Sequence, residues 1–207
     1  MLDYKTVKGS GEAQIEEKKS KFIGAVLPVQ DEAAANAFIL SVKKKHYNAT
    51  HNCFAYSIGL NEEFVKANDD GEPSGTAGMP ILDIIRKKKI KNCAIVVTRY
   101  FGGTLLGTGG LVRAYSKAAK EGILAAGILM RILCVKYELL LDYHDFGKVQ
   151  YEMEGARYRI ANIDYAENVK LTALIEVQRK EQFIKSLTQW CQGRQKVFEL
   201  ETDYINS

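Results

Sequence analysis

The chain has 207 residues, 46% of them hydrophobic and 26% charged, and a formal net charge of +4 at neutral pH. This composition excludes a disordered or fibrous protein, because it supplies enough apolar side chains for one large core or two small ones. No apolar run is long enough to span a bilayer and the first residues lack the apolar stretch of a signal peptide, so we expect a cytoplasmic protein without membrane contact.

Charge and turn-forming residues are concentrated in the first two thirds of the chain. Residues 1–131 hold 19 Lys and Arg against 13 Asp and Glu, a balance of +6, whereas residues 132–207 hold 10 against 12, a balance of −2. Of the 17 glycines, 14 precede residue 132, as do all three prolines. We therefore predict two domains, at 1–130 and 131–207. The positive balance of the first favours an anionic partner, although solvated lysines explain it equally well.

The first domain is predicted to alternate short strands with helices. Two strands are followed by a helix that opens with Asp31 and Glu32 and closes with three lysines, charges that suit the helix dipole. After a further strand comes a polar loop, and then a short helix that follows Pro80. We predict strands at 12–19, 21–29, 51–59 and 92–100, and helices at 31–46, 81–88 and 111–126.

The second domain has a more regular pattern. From residue 169 onward, apolar Val169, Leu171, Ala173 and Ile175 alternate with mainly polar neighbours, which is typical of a strand with one buried face. The predicted order of elements is β-α-β-β-α-β, the split-βαβ or ferredoxin-like arrangement, so the class of the whole chain is α+β. We predict strands at 132–143, 161–167, 169–178 and 195–204, and helices at 146–158 and 180–191.

A glycine-rich segment, TRYFGGTLLGTGGLVRAYSKAA, occupies residues 98–119 between a predicted strand and a predicted helix. So bare a backbone indicates positive φ angles or a surface that another molecule approaches closely. The first N–H groups of the helix lack intrahelical partners and can receive an anion, to which Arg99 and Arg113 add positive charge. A glycine-rich turn with a close helix-to-strand contact is the structural alternative.

The known phosphate loops do not fit this segment. Gly102 and Gly107 have the spacing of a Walker A loop, but Thr108 stands where the phosphate-binding lysine belongs. The dinucleotide fingerprint also fails, because Val112 occupies the position of its third glycine. A phosphate bound here is held in another way.

A second loop, ANDDGEPSGTAGMP at residues 67–80, carries three carboxylates in four positions, at Asp69, Asp70 and Glu72. They could hold magnesium beside a phosphate, but turns also use Asp and Gly for local reasons. His51 and Cys53 share one face of a predicted strand, where a role in the core is commoner than a metal site or a Cys-His pair. We assign no metal ligand, catalytic residue or cofactor. The cysteines, which lack metal or disulfide spacing, are predicted to be reduced and mostly buried: Cys53, Cys93, Cys134 and Cys191.

Three stretches together resemble the signature of the IMPACT family: HNCFAYSIG, NDDGEPSGTAGMPIL and VVTRYFGGTLLGTGGLVRAYSKAA, within residues 51–119. The resemblance implies an N-terminal domain folded like the second domain of ribosomal protein S-five. It also implies a C-terminal ferredoxin-like domain similar to domain V of elongation factor G. The eukaryotic members restrain a starvation-activated kinase of translation initiation by competing for its activator protein. Their partner-binding domain has no counterpart before the core motifs here, so we do not expect that role.

The resemblance and the charge balance predict a translation-associated regulatory binding protein. It would contact RNA, the ribosome or a translation factor through the basic, glycine-rich face of the first domain. The alternative is a metal-assisted enzyme acting on a nucleotide or phosphorylated metabolite, and a purely protein-binding adaptor is a third possibility. A phosphate-containing small molecule is a further candidate ligand. The predicted ligand-binding or anion-binding residues are Arg99, Tyr100, Gly102, Gly103, Gly107, Thr108, Gly109, Gly110, Arg113, Asp69, Asp70, Gly71, Glu72, Ser74, Gly75 and Thr76.

Overall fold

The computed structural model describes residues 3–206, which form two compact units. One unit is Tyr4–Met130, and the other comprises residues 131–206 together with Asp3. The predicted α+β class is confirmed, since each unit combines helices with a mainly antiparallel sheet. Within the described residues, no helix is both long and apolar enough to cross a membrane.

The N-terminal unit is built on a five-stranded antiparallel sheet. Its central strand has the sequence CAIVVTRY and is buried on both faces, which explains its nearly continuous apolar run. The elements are β1 (Tyr4–Val7), β2 (Gly11–Glu17), β3 (Ser20–Pro28), α1 (Glu32–Lys45), β4 (His51–Ile58), β5 (Phe64–Asn68), α2 (Gly78–Lys88), β6 (Cys93–Tyr100) and α3 (Thr108–Ala126). The strand order in the sheet is β2-β3-β6-β4-β5.

Helices cover both faces of this sheet. On one face, α2 and α3 enclose a core that includes Ile81, Ile95 and Tyr115. On the other face, α1 packs Ile39 onto a separate cluster of strand residues. The α1 helix begins as its sequence predicts, because the Asp31 carboxylate accepts a hydrogen bond from the third residue after it, at 2.7 Å.

Glycines let α3 lie close to the sheet. A side chain at Gly24 on β3 would place its Cβ atom 2.2 Å from the carbonyl oxygen of Ala118 on α3. Across the same contact, a Cβ atom at Gly122 would lie 2.7 Å from the carbonyl oxygen of Gly24. This close helix-to-strand contact holds α3 against β3.

The structure corrects the sequence prediction at four places in this unit, one of which is the start of α3, at Thr108 rather than at residue 111. The polar loop predicted after β4 contains β5, an exposed edge strand that pairs with β4 through backbone hydrogen bonds. The first strand, β1, has no counterpart in the prediction. The helix predicted from Ile81 begins one turn earlier, at Gly78, because Pro80 is tolerated in the first turn of a helix, where its missing N–H is not needed.

The C-terminal unit has the predicted order of elements, β-α-β-β-α-β. Its apolar core, which includes Leu139, Leu171 and Phe183, lies between the two helices and one face of the sheet. The sheet path is β1-β7-β9-β8, and β10 also pairs with β7. The pairs of β10 with β7, β7 with β9 and β8 with β9 are all antiparallel. The elements are β7 (Ile128–Leu141), α4 (Tyr143–Gly155), β8 (Arg159–Tyr165), β9 (Val169–Glu176), a short 3₁₀ turn (Val177–Arg179), α5 (Lys180–Trp190) and β10 (Lys196–Asn206).

Candidate functional site

The loop that connects β5 to α2, called here the acidic loop (residues 69–77), is shaped by its own carboxylates. Asp69 accepts backbone hydrogen bonds from Ala77 at 3.0 Å and Gly78 at 2.8 Å through Oδ1, and from Gly75 at 2.9 Å through Oδ2. Burial acts to raise the pKa of Asp69, but the three N–H donors outweigh it and hold the pKa below its usual value. Since Gly78 begins α2, Asp69 caps this helix from a distance.

Asp70 ties the acidic loop to α1 and β4. Its Oδ1 lies 2.6 Å from Nζ of Lys43, and its Oδ2 accepts the backbone N–H of Asn52 at 2.7 Å. Burial acts to raise the pKa of Asp70, yet these partners lower it overall. The Asp70 carbonyl oxygen lies 2.8 Å from Nδ1 of His51, which must therefore carry the proton, because a carbonyl only accepts.

Glu72 links the acidic loop to the end of β6 and to α3. Its Oε1 accepts hydrogen bonds from Nη1 of Arg99 and from the Tyr115 hydroxyl, both at 2.7 Å. Nε2 of His51 lies 3.9 Å from the same oxygen. Glu72 is only 8% exposed and Arg99 only 5%. This close geometry with additional hydrogen bonds is what a buried ion pair needs to offset the cost of its desolvation.

Arg99 lies in the interior rather than on the surface where we expected it to meet an anion. Nη2 lies 3.5 Å from the Ser20 hydroxyl, and the guanidinium carbon is 5.5 Å from the ring centre of Phe22 and 5.4 Å from that of Phe101. Within the described residues, Nε has no hydrogen-bond partner. Arg99 therefore holds Glu72 on one side and orients the half-exposed Phe101 ring on the other.

The cysteine and histidine of β4 do not form a reactive pair. Burial, the largest influence, raises the pKa of Cys53 to about 12, so the side chain is a protonated thiol at neutral pH. The thiol lies 3.0 Å from the carbonyl oxygen of Asp69 and 3.4 Å from the Tyr115 hydroxyl. The chain from residue 3 to residue 206 contains no group of three or more His, Cys, Asp or Glu side chains placed to hold a metal ion. Its four cysteines are buried and free of disulfides.

The glycine-rich segment needs glycine for two separate reasons. A Cβ atom on Gly102 would lie 2.0 Å from the carbonyl carbon of Lys19, so the backbone of this residue passes directly against the hairpin between β2 and β3. Gly103 and Gly107 have φ angles of +82° and +71°, which side chains disfavour. Gly109, in the first turn of α3, faces open space and has only Nη1 of Arg113 within 4 Å of a Cβ position, at 3.6 Å.

A basic pocket lies beside the first turns of α3, with a volume of about 220 Å³. Its cationic side chains are Lys18, Arg113 and Lys117, which are all exposed, and its one acidic side chain is Glu17. Gly110 forms part of its wall. Over the described range, none of the three cations is within 4 Å of a carboxylate. The pocket therefore combines unneutralised charge with the positive end of a helix dipole.

The predicted site residues separate into three groups. Asp69, Asp70, Glu72 and Arg99 form the internal network, and Tyr100 directs its hydroxyl to His46 at 3.0 Å on the α1 side of the sheet. The acidic loop is completed by Gly71 and Gly75, which have positive φ angles, by exposed Ser74, and by Thr76, whose hydroxyl donates to the carbonyl of Pro73 at 2.6 Å. Gly102 and Gly103 lie in the loop between β6 and α3, and Gly107, Thr108, Gly109, Gly110 and Arg113 lie at the start of α3.

Sequence reasoning missed Lys18 as a member of the basic pocket. Lys18 and Lys19 form the two-residue turn between β2 and β3, with φ angles of +46° and +68°, where Asn and Gly are usual. The strands predicted at 12–19 and 21–29 are separated by a single residue, which implies a tight hairpin turn between them. The two lysines near this turn were the sequence signal for an exposed positive charge.

Comparisons with known proteins agree with this architecture. A family model described as the Impact N-terminal domain matches residues 18–123, and a domain of unknown function, DUF1949, matches residues 139–194. The chain is similar to a solved protein described only as hypothetical, with a TM-score of 0.62, 30% identity, and coverage of 97% of this chain and 98% of that one.

The chain is 43% identical to the IMPACT family member YvyE of Bacillus subtilis, over 98% of this chain and 93% of that protein. It is 31% identical to the IMPACT family member YigZ of Escherichia coli, over 89% of this chain and 91% of that protein. Protein IMPACT of Rattus norvegicus is 35% identical, over only 46% of this chain and 31% of the rat protein. The chain belongs to the IMPACT family.

Proposed function

We propose that this protein is a translation-associated regulatory binding protein that contacts RNA through the basic face of its N-terminal unit. This basic face is defined by Lys18, Arg113 and Lys117 together with residues 101–110 of the glycine-rich segment. The observation that carries the proposal is the pocket beside α3, whose three exposed cations lack carboxylate partners within the described chain. Phosphates of an RNA backbone would supply the missing negative charge.

Local geometry supports an extended anion at this surface. The first N–H groups of α3 lack intrahelical acceptors, and its cap residue Gly107 offers no side-chain bond. Because Gly109 presents no side chain, a phosphate can approach these N–H groups directly. The face thus combines backbone donors with mobile cations, the two kinds of group that most often bind phosphate oxygens.

Exposed apolar side chains on the same segment favour single-stranded RNA over a small anion. Phe101 is 47% exposed and Leu105 is 81% exposed. The Gly102 N–H donates to the Ser20 hydroxyl at 3.1 Å, which places Phe101 next to the hairpin that carries Lys18. A basic groove beside an aromatic platform is the usual means of binding single strands, since every base can stack on a ring.

The family relationship provides the link to translation. The IMPACT proteins of the rat and of Dictyostelium discoideum match only about half of this chain, 46% and 45% respectively. The Impact N-terminal domain, at residues 18–123, contains the whole basic face. Because the shared unit contains the basic face, we place there the role in translation that the family resemblance implies.

The enzyme alternative gains no support from the site. Each carboxylate of the acidic loop is already bonded, Asp69 to backbone N–H groups, Asp70 to Lys43 and Glu72 to Arg99. A magnesium ion would have to break these bonds, and Glu72 is buried in the internal network.

The experiment that tests the proposal is a salt titration of RNA binding. We expect the variant Arg113→Gln plus Lys117→Gln to bind a single-stranded RNA at least about tenfold more weakly at low salt, because two charge-assisted contacts are lost. The slope of log K against log[salt] should become shallower by roughly 0.7 for each phosphate contact removed. Fluorescence anisotropy with a labelled oligonucleotide measures both quantities.

The matched control is Lys44→Gln plus Lys87→Gln. It removes the same charge from the same unit, at exposed positions on α1 and α2. If both double variants weaken RNA binding equally, the attraction is a property of net charge and the proposed face is rejected. If the unaltered protein binds ribosomes but no isolated RNA, the partner is a ribosomal protein or a factor, and RNA recognition is rejected.

A further inference from the structure

The C-terminal unit contains a cavity that is distinct from the basic face and unrelated to any motif noted in the sequence. Its volume is about 180 Å³, and it lies where the first half of β7, the start of β8, the end of β9 and the end of β10 meet. Nη1 of Arg159 donates to the backbone carbonyl oxygen of Asn206 on β10 at 3.4 Å. Three arginines line it, Arg157, Arg159 and Arg179, together with one acidic residue, Glu176. We propose that this arginine pocket binds a terminal phosphate group, as carried by a phosphorylated metabolite or by the end of an RNA strand.

In the described part of the chain, none of the three arginines of the pocket lies within 4 Å of a carboxylate, and Glu176 is likewise in no ion pair. Three guanidinium groups and one carboxylate give the lining a formal charge of 3 − 1 = +2. A phosphate monoester carries about −1.5 to −2 at neutral pH and matches this charge, whereas a phosphodiester or a carboxylate does not. The rest of the unit provides no such excess, since residues 132–207 have a balance of −2.

Arg179 is held in position before any ligand arrives. Its guanidinium carbon lies 4.2 Å from the ring centre of Tyr158, and its Nη2 donates to the carbonyl oxygen of Ala156 at 2.7 Å. Tyr158 is itself fixed by an edge-on contact with Phe183, at 5.0 Å between ring centres. The guanidinium plane is therefore anchored to the core, which leaves Nε and Nη1 as donors with a fixed direction.

Arg157 occupies a backbone position that ordinarily belongs to glycine. It follows the last turn of α4 with a φ angle of +58°, and its N–H donates to the carbonyl oxygen of Glu154 at 3.0 Å. Glycine is the usual residue at this point of a helix end because a side chain is disfavoured there. An exposed arginine at this position places a third guanidinium at the rim of the pocket.

The size of the pocket limits the ligand to a single charged group. Pockets that enclose whole small molecules occupy about 300–1,000 Å³, more than this cavity provides. Leu174 and Ile132 form apolar parts of the wall, and Cys134 is a buried thiol. The guanidinium groups would donate paired hydrogen bonds to the phosphate oxygens, while the remainder of the ligand stays outside the pocket.

Inorganic phosphate is the direct probe for this pocket, titrated into the full-length protein at constant ionic strength. We expect saturable binding at millimolar concentration, with shifts of the side-chain Nε–Hε signals of the three arginines in NMR spectra. The variant Arg157→Gln plus Arg159→Gln should bind phosphate at least about tenfold more weakly, because charge-assisted hydrogen bonds are lost. Both residues are exposed, so the fold should survive, which the circular dichroism spectrum checks.

The matched control removes two exposed lysines of the same unit, Lys148→Gln plus Lys185→Gln, and should keep phosphate affinity within about twofold. A dinucleotide with a 5′-phosphate should bind better than its 5′-hydroxyl form. Tighter binding of this dinucleotide than of a sugar monophosphate would assign the group to an RNA end, and equal or weaker binding would assign it to a metabolite. Absence of saturable phosphate binding, or equal losses in both double variants, would overturn the proposal. The variant Arg113→Gln plus Lys117→Gln should leave phosphate binding in the arginine pocket intact. A negative result for the arginine pocket therefore does not reject RNA binding by the basic face, and the reverse also holds.

Discussion

At the scale of single residues, the Glu72–Arg99 ion pair is the link between the two loops that the sequence singled out. The two side chains approach to 2.7 Å from segments 27 residues apart, and both are almost fully buried. No local sequence pattern predicts such a pair, because Glu72 lies in a polar loop and Arg99 at the end of a predicted strand, and neither position indicates burial. We expected Arg99 to face an anionic ligand, and the carboxylate that it meets belongs to the protein itself.

The substitution Glu72→Gln tests the structural importance of this pair. It leaves the Arg99 guanidinium buried without a negative partner, so we expect the free energy of unfolding to fall by about 3–5 kcal/mol. Urea denaturation measures the change, and Glu16→Gln, at an exposed position of β2, is the control that should alter little. A loss of less than about 1 kcal/mol for Glu72→Gln would show that water or a rearranged loop solvates Arg99.

At the scale of elements, the path of the glycine-rich segment depends on its contact with the β2–β3 hairpin. The backbone of Gly102 passes so close to Lys19 that no side chain fits between them. We expect Gly102→Ala to destabilise the protein by about 1–3 kcal/mol, because the hairpin or the segment must move. Thermal unfolding followed by circular dichroism measures this effect.

Gly109→Ala is the counterpart in the same segment. Its new methyl group would lie in open space within the first turn of α3, so stability should be unchanged or higher by up to about 1 kcal/mol. An equal loss of stability in Gly102→Ala and Gly109→Ala would mean that the whole segment tolerates no side chain. The contact with Lys19 would then not be the cause of the loss at Gly102.

Elements with a clear apolar pattern were predictable from the sequence, and those without one were not. Strand β6 and the alternating β9 were identified because their side chains are buried on two faces or on one. Strand β5 has no such pattern, because most of its residues are exposed and its pairing with β4 is made by backbone hydrogen bonds, which any sequence can form. The arginine pocket was missed for a related reason, since its arginines meet only when separate elements are folded together.

At the scale of the whole molecule, each unit encloses a core of its own. Phe183 belongs to the C-terminal core, whereas Ile95 belongs to the core beneath α2 and α3, and the two cores share no residue. The two proposed anion sites are divided in the same way, with the basic face on one unit and the arginine pocket on the other. A change that loosens one unit should therefore spare the ligand site of the other.

Native-state hydrogen exchange can test this independence of the two cores. We expect Phe183→Ala to cost about 3–5 kcal/mol, because it leaves a cavity beside Tyr137 and Tyr158, and to lower the protection of amides in β7 and β9. Amides of β3 and β6 should keep their protection. The reciprocal variant Ile95→Ala should reverse this distribution. If each variant lowers protection equally in both units, the molecule unfolds as one cooperative structure, and a substitution in either unit could alter RNA and phosphate binding together.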